Sequence, residues 1–555
     1  MRRILLILFT FSISILASQA QPGWTKNATK SVFTLKTFAA DGSLIASSNG
    51  FYTGTNGEAV SNFTPFKGAA RAIILDSQGK EWQVTGILGV NDMYDVVKFR
   101  VNNRKTQPLA ICQTAAPVGS TAWLLSYRDV KNVKSGPVRK AEMFMGDYAY
   151  YTVSMNMSEN LVSCPLLNDA GEVLGMMQQP ASDKDTLSYA VSARFVDSLK
   201  VTGLNYNDPT LRLTQIKKEL PTSLKDATLV LYLSASQMDS TTYASLISDF
   251  IQQFPGAADG YVYRAEQEMA GGNFAAAEKD MEQALKLSDH KDDTHFTYAR
   301  MIYNKEIYQS AQPYANWSLD KALQEIRLAN ELNPQPTYRQ LEANILFAQK
   351  NYDASYAIFE ELTKTNLRNA EIFFAAARCK EMQKDTTAML ALMDSTLSTF
   401  SKPYLKEAAP YLWARAEARR NAGKYRDAIN DMNDYETLMT ATVNDNFYYI
   451  RHQTEIQGRL YQQALNDINR AIQINSKEIL YYAEKASLEI RVGMIDNAME
   501  TAKECIALDA NNSDGYLFLG LAQCLKGQKA EGIQNLQKAK ELGDAQADGL
   551  IEKYK

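Results

Sequence analysis

Small residues recur in register through the C-terminal half of the chain. Ala428, Ala464, Ala498 and Gly532 follow one another at steps of 36, 34 and 34 residues. Three closely similar hexads end on such a site: Gly272-Asn273-Phe274-Ala275-Ala276-Ala277, Gly423-Lys424-Tyr425-Arg426-Asp427-Ala428 and Gly493-Met494-Ile495-Asp496-Asn497-Ala498. A second small site lies seven positions further on, at Ala284, Ala329, Ala471, Cys505 and Ala539. A third lies twelve positions before the hexad's last residue, at Ala265, Ala416, Ala486 and Gly520. Two antiparallel helices approach closely only where side chains are small, and Tyr261, Phe274, Phe359, Tyr516 and Leu536 are placed to fill the neighbouring holes. One helical pair cannot bury its own apolar face, so the pattern requires pair to stack on pair. From about residue 225 to the C-terminus the periodicity is helical and rich in Ala, Leu, Glu, Lys and Gln.

The chain has a different character before that point. Short β-rich runs such as Ser31-Val32-Phe33-Thr34-Leu35-Lys36-Thr37, Ala72-Ile73-Ile74-Leu75, Ala122-Trp123-Leu124-Leu125 and Glu172-Val173-Leu174-Gly175-Met176-Met177 are separated by turn signals at Asp41-Gly42, Asn56-Gly57, Gln78-Gly79 and Asp169-Ala170-Gly171. This spacing predicts an all-β barrel or sandwich. Asn207-Asp208-Pro209 and Pro221-Thr222 frame a linker. Arg2 and Arg3, the apolar run over 4–16 and Ser18-Gln19-Ala20 have the layout of a secretory signal peptide cleaved after Ala20. The apolar run is shorter than the ~20 residues a spanning helix needs, and no transmembrane segment is expected. The predicted organisation is a signal peptide at 1–20, a β domain at 27–200, a linker at 201–222, a helical repeat array at 223–546 and a tail at 547–555.

Composition excludes some functions. A net charge of −4 and the lack of a Lys/Arg run argue against a nucleic-acid partner. The five cysteines show no C-x-x-C spacing, so neither a zinc site nor another metal or cofactor is expected. A disulfide between Cys112 and Cys164 stays open, because spacing does not determine the geometry it needs.

The repeat pattern resembles the tetratricopeptide repeat (TPR). The parts that carry the resemblance are 256–289, 320–336, 337–369, 409–442, 445–478, 479–512 and 513–546, with Asn333-Pro334 at the position of that family's repeat-ending proline. The units at 223–255 and 370–404 match less well, and an insertion around Gln309 to Asn316 interrupts the one at 292–336. The resemblance implies a right-handed superhelix whose concave face, lined by the first helix of each pair, binds peptides or a partner's helix. In that register Trp413, Glu417, Arg420, Tyr449, Gln453 and Arg491 point into the groove. Trp413 and Tyr449 equally suit packing between neighbouring repeats.

The β-rich part resembles the trypsin-like serine proteases, especially the bacterial high-temperature-requirement type. Ser48-Asn49-Gly50-Phe51-Tyr52 with Gly57-Glu58-Ala59-Val60-Ser61-Asn62 is similar to the strands leading to the catalytic histidine. Tyr94-Asp95-Val96-Val97-Lys98-Phe99 is similar to the segment that bears the aspartate. Residues 164–175 are similar to the strand pair after the nucleophile, and Tyr189-Ala190-Val191-Ser192 to the closing strand. The resemblance implies two β-barrels over about residues 30–200. Thr64 then stands at the histidine position, Asp95 at the aspartate position and Val162 at the serine position. The chain's three histidines, His290, His295 and His452, all lie in the helical part. A serine nucleophile needs a base to take its proton, so the expectation is a chain that is not an enzyme.

The sequence as a whole predicts an all-β, trypsin-like double barrel followed by an all-α TPR solenoid. The function expected is that of an exported, non-enzymatic adaptor in the periplasm or cell envelope of a Gram-negative bacterium, with protein or peptide partners and an association with envelope complexes. A serine peptidase that recruits substrates through its repeats is the alternative, and a structural subunit of an envelope complex is a third reading.

Overall fold

The computed structural model describes residues 21–126, 133–180, 182 and 185–555. The expected signal peptide at 1–20 lies outside the described residues. The chain divides into two compact units, the first ending at Ser288 and the second running over Asp289–Lys555.

In the first unit a short helix α1 (Thr25–Ala28) leads into β1 (Val32–Phe38), β2 (Leu44–Tyr52), β3 (Glu58–Ser61), β4 (Arg71–Leu75), β5 (Glu81–Asn91) and β6 (Val96–Val101). These six strands close into a barrel in the order β1-β2-β3-β6-β5-β4. A second closed barrel, in the order β10-β11-β12-β9-β8-β7, is built from β7 (Thr121–Leu124), β8 (Lys134–Phe144), β9 (Tyr148–Val153), β10 (Pro165–Leu167), β11 (Val173–Met177) and β12 (Ser188–Ser192). The turn glycines Gly42, Gly57, Gly79 and Gly171 all have φ between 77° and 85°, a conformation that L side chains rarely adopt. Strand alternation sorts the apolar residues between two cores. Phe33 and Leu35 of β1 point into the first barrel with Phe99, whereas Val32 joins Phe51 and Val60 against Leu167, Val173 and Met176 of the second.

Residues 201–222, expected as a linker, run along the first barrel. Val201, Tyr206, Leu211, Ile216 and Leu220 belong to its core. The backbone amides of Val201 and Glu219 donate to Leu88 and Ile87, and that of Ile87 donates to Lys217. Arg100 Nε bonds both Glu219 carboxylate oxygens at 2.8 and 3.0 Å. This strap delivers α2 (Leu224–Ser234) and α3 (Ser240–Gln253), whose Ala227, Val230, Leu231, Leu246, Ile247 and Phe250 share that core. The helical pattern begins near residue 224, but its first two helices pack as part of the barrel's core. The pair α4 (Ala258–Ala270) and α5 (Phe274–Leu287) completes the unit.

The second unit is entirely helical among the described residues. Its elements are α6 (Lys291–Tyr308), α7 (Leu319–Leu332), α8 (Pro336–Ala348), α9 (Tyr352–Leu362), α10 (Ala370–Met382), α11 (Thr386–Ser398), α12 (Ala409–Asn421), α13 (Tyr425–Met439), α14 (Asp445–Gln457), α15 (Tyr461–Ile474), α16 (Ile479–Arg491), α17 (Ile495–Leu508), α18 (Ser513–Leu525), α19 (Lys529–Glu541) and α20 (Ala547–Tyr554). The insertion near Gln309 falls in the connection from α6 to α7. Residues 547–555, expected as a tail, form α20, whose Ala547 and Ile551 are buried against Leu517 and Leu536. The small sites do what close packing requires: a β-carbon added at Gly520 would lie 2.7 Å from the Gly532 carbonyl oxygen. The turn inside the pairs from α8–α9 to α18–α19 uses a left-handed residue. Gly423, Gly493 and Gly527 supply it, and Lys350, Lys384 and Arg459 adopt it at φ 65°, 62° and 58°. Those three copies therefore lack the glycine that opens the hexad.

The shared core predicts cooperative behaviour. Phe250→Ala, at a fully buried site, should destabilise the first unit by about 3–5 kcal/mol. Hydrogen exchange should then speed up in β4 and β5 as well as in α2 and α3. Faster exchange confined to the helices would show that the strap does not couple them.

Candidate protein-binding groove

In the second unit, two arginines each fix one helix against two others. Arg415 on α12 bonds both carboxylate oxygens of Asp431 on α13, at 3.0 and 2.7 Å, and reaches Asp394 on α11 at 2.7 Å. Arg451 on α14 repeats this with Asp467 on α15 at 2.6 and 3.0 Å and with Glu436 on α13 at 2.6 Å. Arg264 and Asp280 form the same pair in the first unit, again sixteen residues apart. Planar, bidentate charge pairs of this kind constrain orientation as well as distance.

With the pairs held, the first helices α8, α10, α12, α14 and α16 present a row of cavities. The first, of about 190 Å³, is lined by Phe347, Phe359, Phe374 and Ala375, with Asn344, Glu371 and Arg378 beside them. The second, of about 540 Å³, shares Phe374 and Arg378 and has Met389, Met393, Ala414 and Ala418 among its lining residues, together with Glu417. The third, of about 570 Å³, lies on the other side of α12 and is lined by Arg420, Tyr425, Gln453, Glu484, Ser487 and Arg491 among others.

Of the residues expected in the groove, Glu417, Arg420, Gln453 and Arg491 therefore line cavities. Trp413 does not. Its ring packs 5.3 Å from Tyr435 and 5.9 Å from Phe447, between neighbouring repeats. Tyr449 packs 5.2 Å from Tyr481, and its hydroxyl accepts from Gln453 Nε2 at 2.7 Å and donates to Glu484 at 3.4 Å. It thus orients two lining residues without lining the cavity itself. Phe374, Met389 and Met393 were not foreseen, because they belong to the copy at 370–404 that has Lys384 in place of the hexad glycine. His452 was also missed, although it occupies the third small site, twelve residues before Ala464. It is fully buried, and its Nδ1 lies 2.8 Å from the Ala464 carbonyl oxygen.

In the barrels, Asp95 has φ 49°, and its Oδ1 accepts from the Thr64 amide at 2.6 Å and the Thr64 hydroxyl at 2.9 Å. Val162 is buried, and its carbonyl accepts from Asn49 Nδ2 at 2.9 Å. Ser163, at φ 66° and fully buried, donates to Asn62 Oδ1 and accepts from the Asn62 amide, both at 2.9 Å. Ser48 donates to the same Oδ1 at 2.6 Å. The segments similar to those around a protease's histidine and serine are thereby bonded directly to each other. No disulfide joins Cys112 and Cys164. Among the described residues no group of three or more His, Cys, Asp or Glu side chains could hold a metal ion.

No family model matches the chain. Small glutamine-rich tetratricopeptide repeat-containing protein 2 of Saccharomyces cerevisiae is 26% identical over 95 residues. That match covers 17% of this chain and 28% of the relative, so the chain spans less than a third of the curated protein it matches. Among solved structures, the Rv3671c protease from M. tuberculosis in its active form is similar over 35% of this chain and 92% of its own, with 18% identity and a TM-score of 0.29. An inactive serine-to-alanine mutant of the same protein is similar over 32% and 89%, with 19% identity and a TM-score of 0.27. The chain has two closed six-stranded β-barrels followed by an array of helical pairs. The expectation that it is not an enzyme does not stand: the matched structures are of a protease, one in its active form. Thr64 and Val162 at the two triad positions do not carry that exclusion.

The groove's floor contains an ionisable cluster with a defined pH response. Burial, and then the Asp467 carboxylate, push Glu455 up to about 8, while burial pushes His452 down. The folded state therefore keeps a proton on Glu455 that the unfolded state releases, and stability falls as pH rises from the ordinary glutamate range toward 8. His452 acts in the opposite sense, but only below about pH 6.5, where the unfolded state takes up a proton. Thermal denaturation should therefore show a Tm that falls between pH 6.5 and 8.5, and Glu455→Gln should flatten the profile over that window. An unchanged slope in the variant would place the titrating group elsewhere.

Proposed function

We propose that this chain is an exported adaptor of the cell envelope that holds segments of other proteins in the groove of its helical unit. The observation that carries the reading is the row of cavities across α8, α10, α12, α14 and α16. A surface that alternates aromatic, methionine and arginine side chains suits protein recognition, because such residues supply large contact area and directional charge together. The TPR-containing relative supports a protein partner over a small-molecule one. The charged, apolar and small-residue order of residues 2–20 supports export. Among the described residues no helix is long and apolar enough to cross a membrane, so envelope complexes would be reached through protein contacts.

Selection of a phage-displayed random peptide library on the immobilised full chain tests the groove. Enriched peptides should bind the Phe374→Ala variant at least tenfold more weakly, with the variant's circular dichroism and Tm unchanged. Binders indifferent to Phe374→Ala, or no binders at all, would place recognition outside this groove.

A further inference from the structure

The three cavities differ in chemistry, and the difference runs in one direction along the groove. The 190 Å³ slot between α8 and α10 is walled by three phenylalanines and an alanine, together with Asn344, Glu371 and Arg378. Its one nearby cation is already engaged, since Arg378 pairs with Glu381 at 3.4 Å and lies 5.7 Å from the Phe347 ring. The middle cavity combines Met389 and Met393 with Glu417, which has no cation partner among the described residues. At the far end Arg420 from α12 and Arg491 from α16 flank Gln453 of α14. Neither guanidinium has a carboxylate partner among the described residues. On the same helices Arg415, Arg419 and Arg451 are each bonded to two acids. The carboxylate of Glu484, on the wall of the same cavity, accepts from the Tyr449 hydroxyl and is paired with neither arginine.

We infer that the groove selects an extended segment carrying an apolar side chain at one end and an acidic side chain further along, the apolar group entering the phenylalanine slot and the carboxylate lying between Arg420 and Arg491. This rests on the reading of the groove as a protein-binding site and adds the chemistry of its occupant. Two unpaired guanidiniums approaching from neighbouring walls can each give a carboxylate charge-assisted hydrogen bonds. Glu417 sets the register by repulsion, because an acidic side chain that slides back toward the middle cavity meets a like charge there. The apolar end supplies burial, and the charged end supplies direction and discrimination.

Fluorescence polarisation on the full chain tests this with three labelled dodecapeptides. One carries a leucine near one end and three aspartates near the other, the second replaces the aspartates by asparagines, and the third replaces them by lysines. The aspartate peptide should bind at least tenfold more tightly than the asparagine peptide at low salt, and the lysine peptide should bind most weakly. The aspartate advantage should vanish in the Arg420→Gln/Arg491→Gln double variant and shrink as salt is raised. Phe374→Ala should weaken the aspartate and asparagine peptides alike. Equal binding of these two peptides, both weakened by Phe374→Ala, would overturn the acidic preference and leave the groove standing. An aspartate advantage that survives in the double variant would also overturn it. Binding of none of the three would remove both readings.

Discussion

The helical unit depends on arginines that each tie three helices together. Arg415 joins α12 to α13 and α11, and Arg451 joins α14 to α15 and α13. The Arg415–Asp431 and Arg451–Asp467 pairs are largely out of water, and removing one partner of such a pair leaves a buried charge uncompensated, at a typical cost of about 3–5 kcal/mol. The small residues at Ala416, Ala428, Ala464 and Ala471, all fully buried, let the helices come close enough for these bonds to form. Close approach and directional charge together hold the first helices side by side, so that residues from five separate helices meet as one groove. Arg420 and Arg491 project from this same scaffold but have no carboxylate partner among the described residues. The lattice that saturates their neighbours leaves those two available to a ligand.

A different constraint governs the first unit. The barrels are joined by an apolar seam and by the polar bonds among Ser48, Asn62 and Ser163, while the strap over 201–222 brings the first helices into the core they share with the first barrel. The barrel is thus a structural base for the start of the helical region. Asn62 and Ser163 are engaged in these seam contacts, and Asp95 is engaged by Thr64.

Much of this was legible in the sequence because it depends on short-range rules. Small residues in register marked α12 to α19, and turn glycines with strand alternation marked both barrels. What escaped has physical reasons. Lys384 adopts the left-handed turn without glycine, so the copy at 370–404 was blurred, and with it the groove residues Phe374 and Met389. His452 stands in a small-residue site where its ring nitrogen finds the Ala464 carbonyl, a compensation visible only in three dimensions. The strap reads as a linker because Asn207, Pro209 and Pro221 mark turns, yet its apolar residues are spaced to follow a barrel wall. Trp413 has the composition of a binding hot spot, but its ring is used between repeats. An exclusion of catalysis drawn from two side chains, Thr64 and Val162, asked more of those positions than they can carry.

The central claim is that the groove, rather than the outer face of the helical unit, receives a partner protein. Site-specific photocrosslinking in the cell envelope measures this directly. A photoreactive amino acid placed at Asn421 or Ser487, both lining the cavities, should give discrete protein adducts, and one at the exposed Glu500 of α17 should not. Adducts from Glu500 alone would contradict the account.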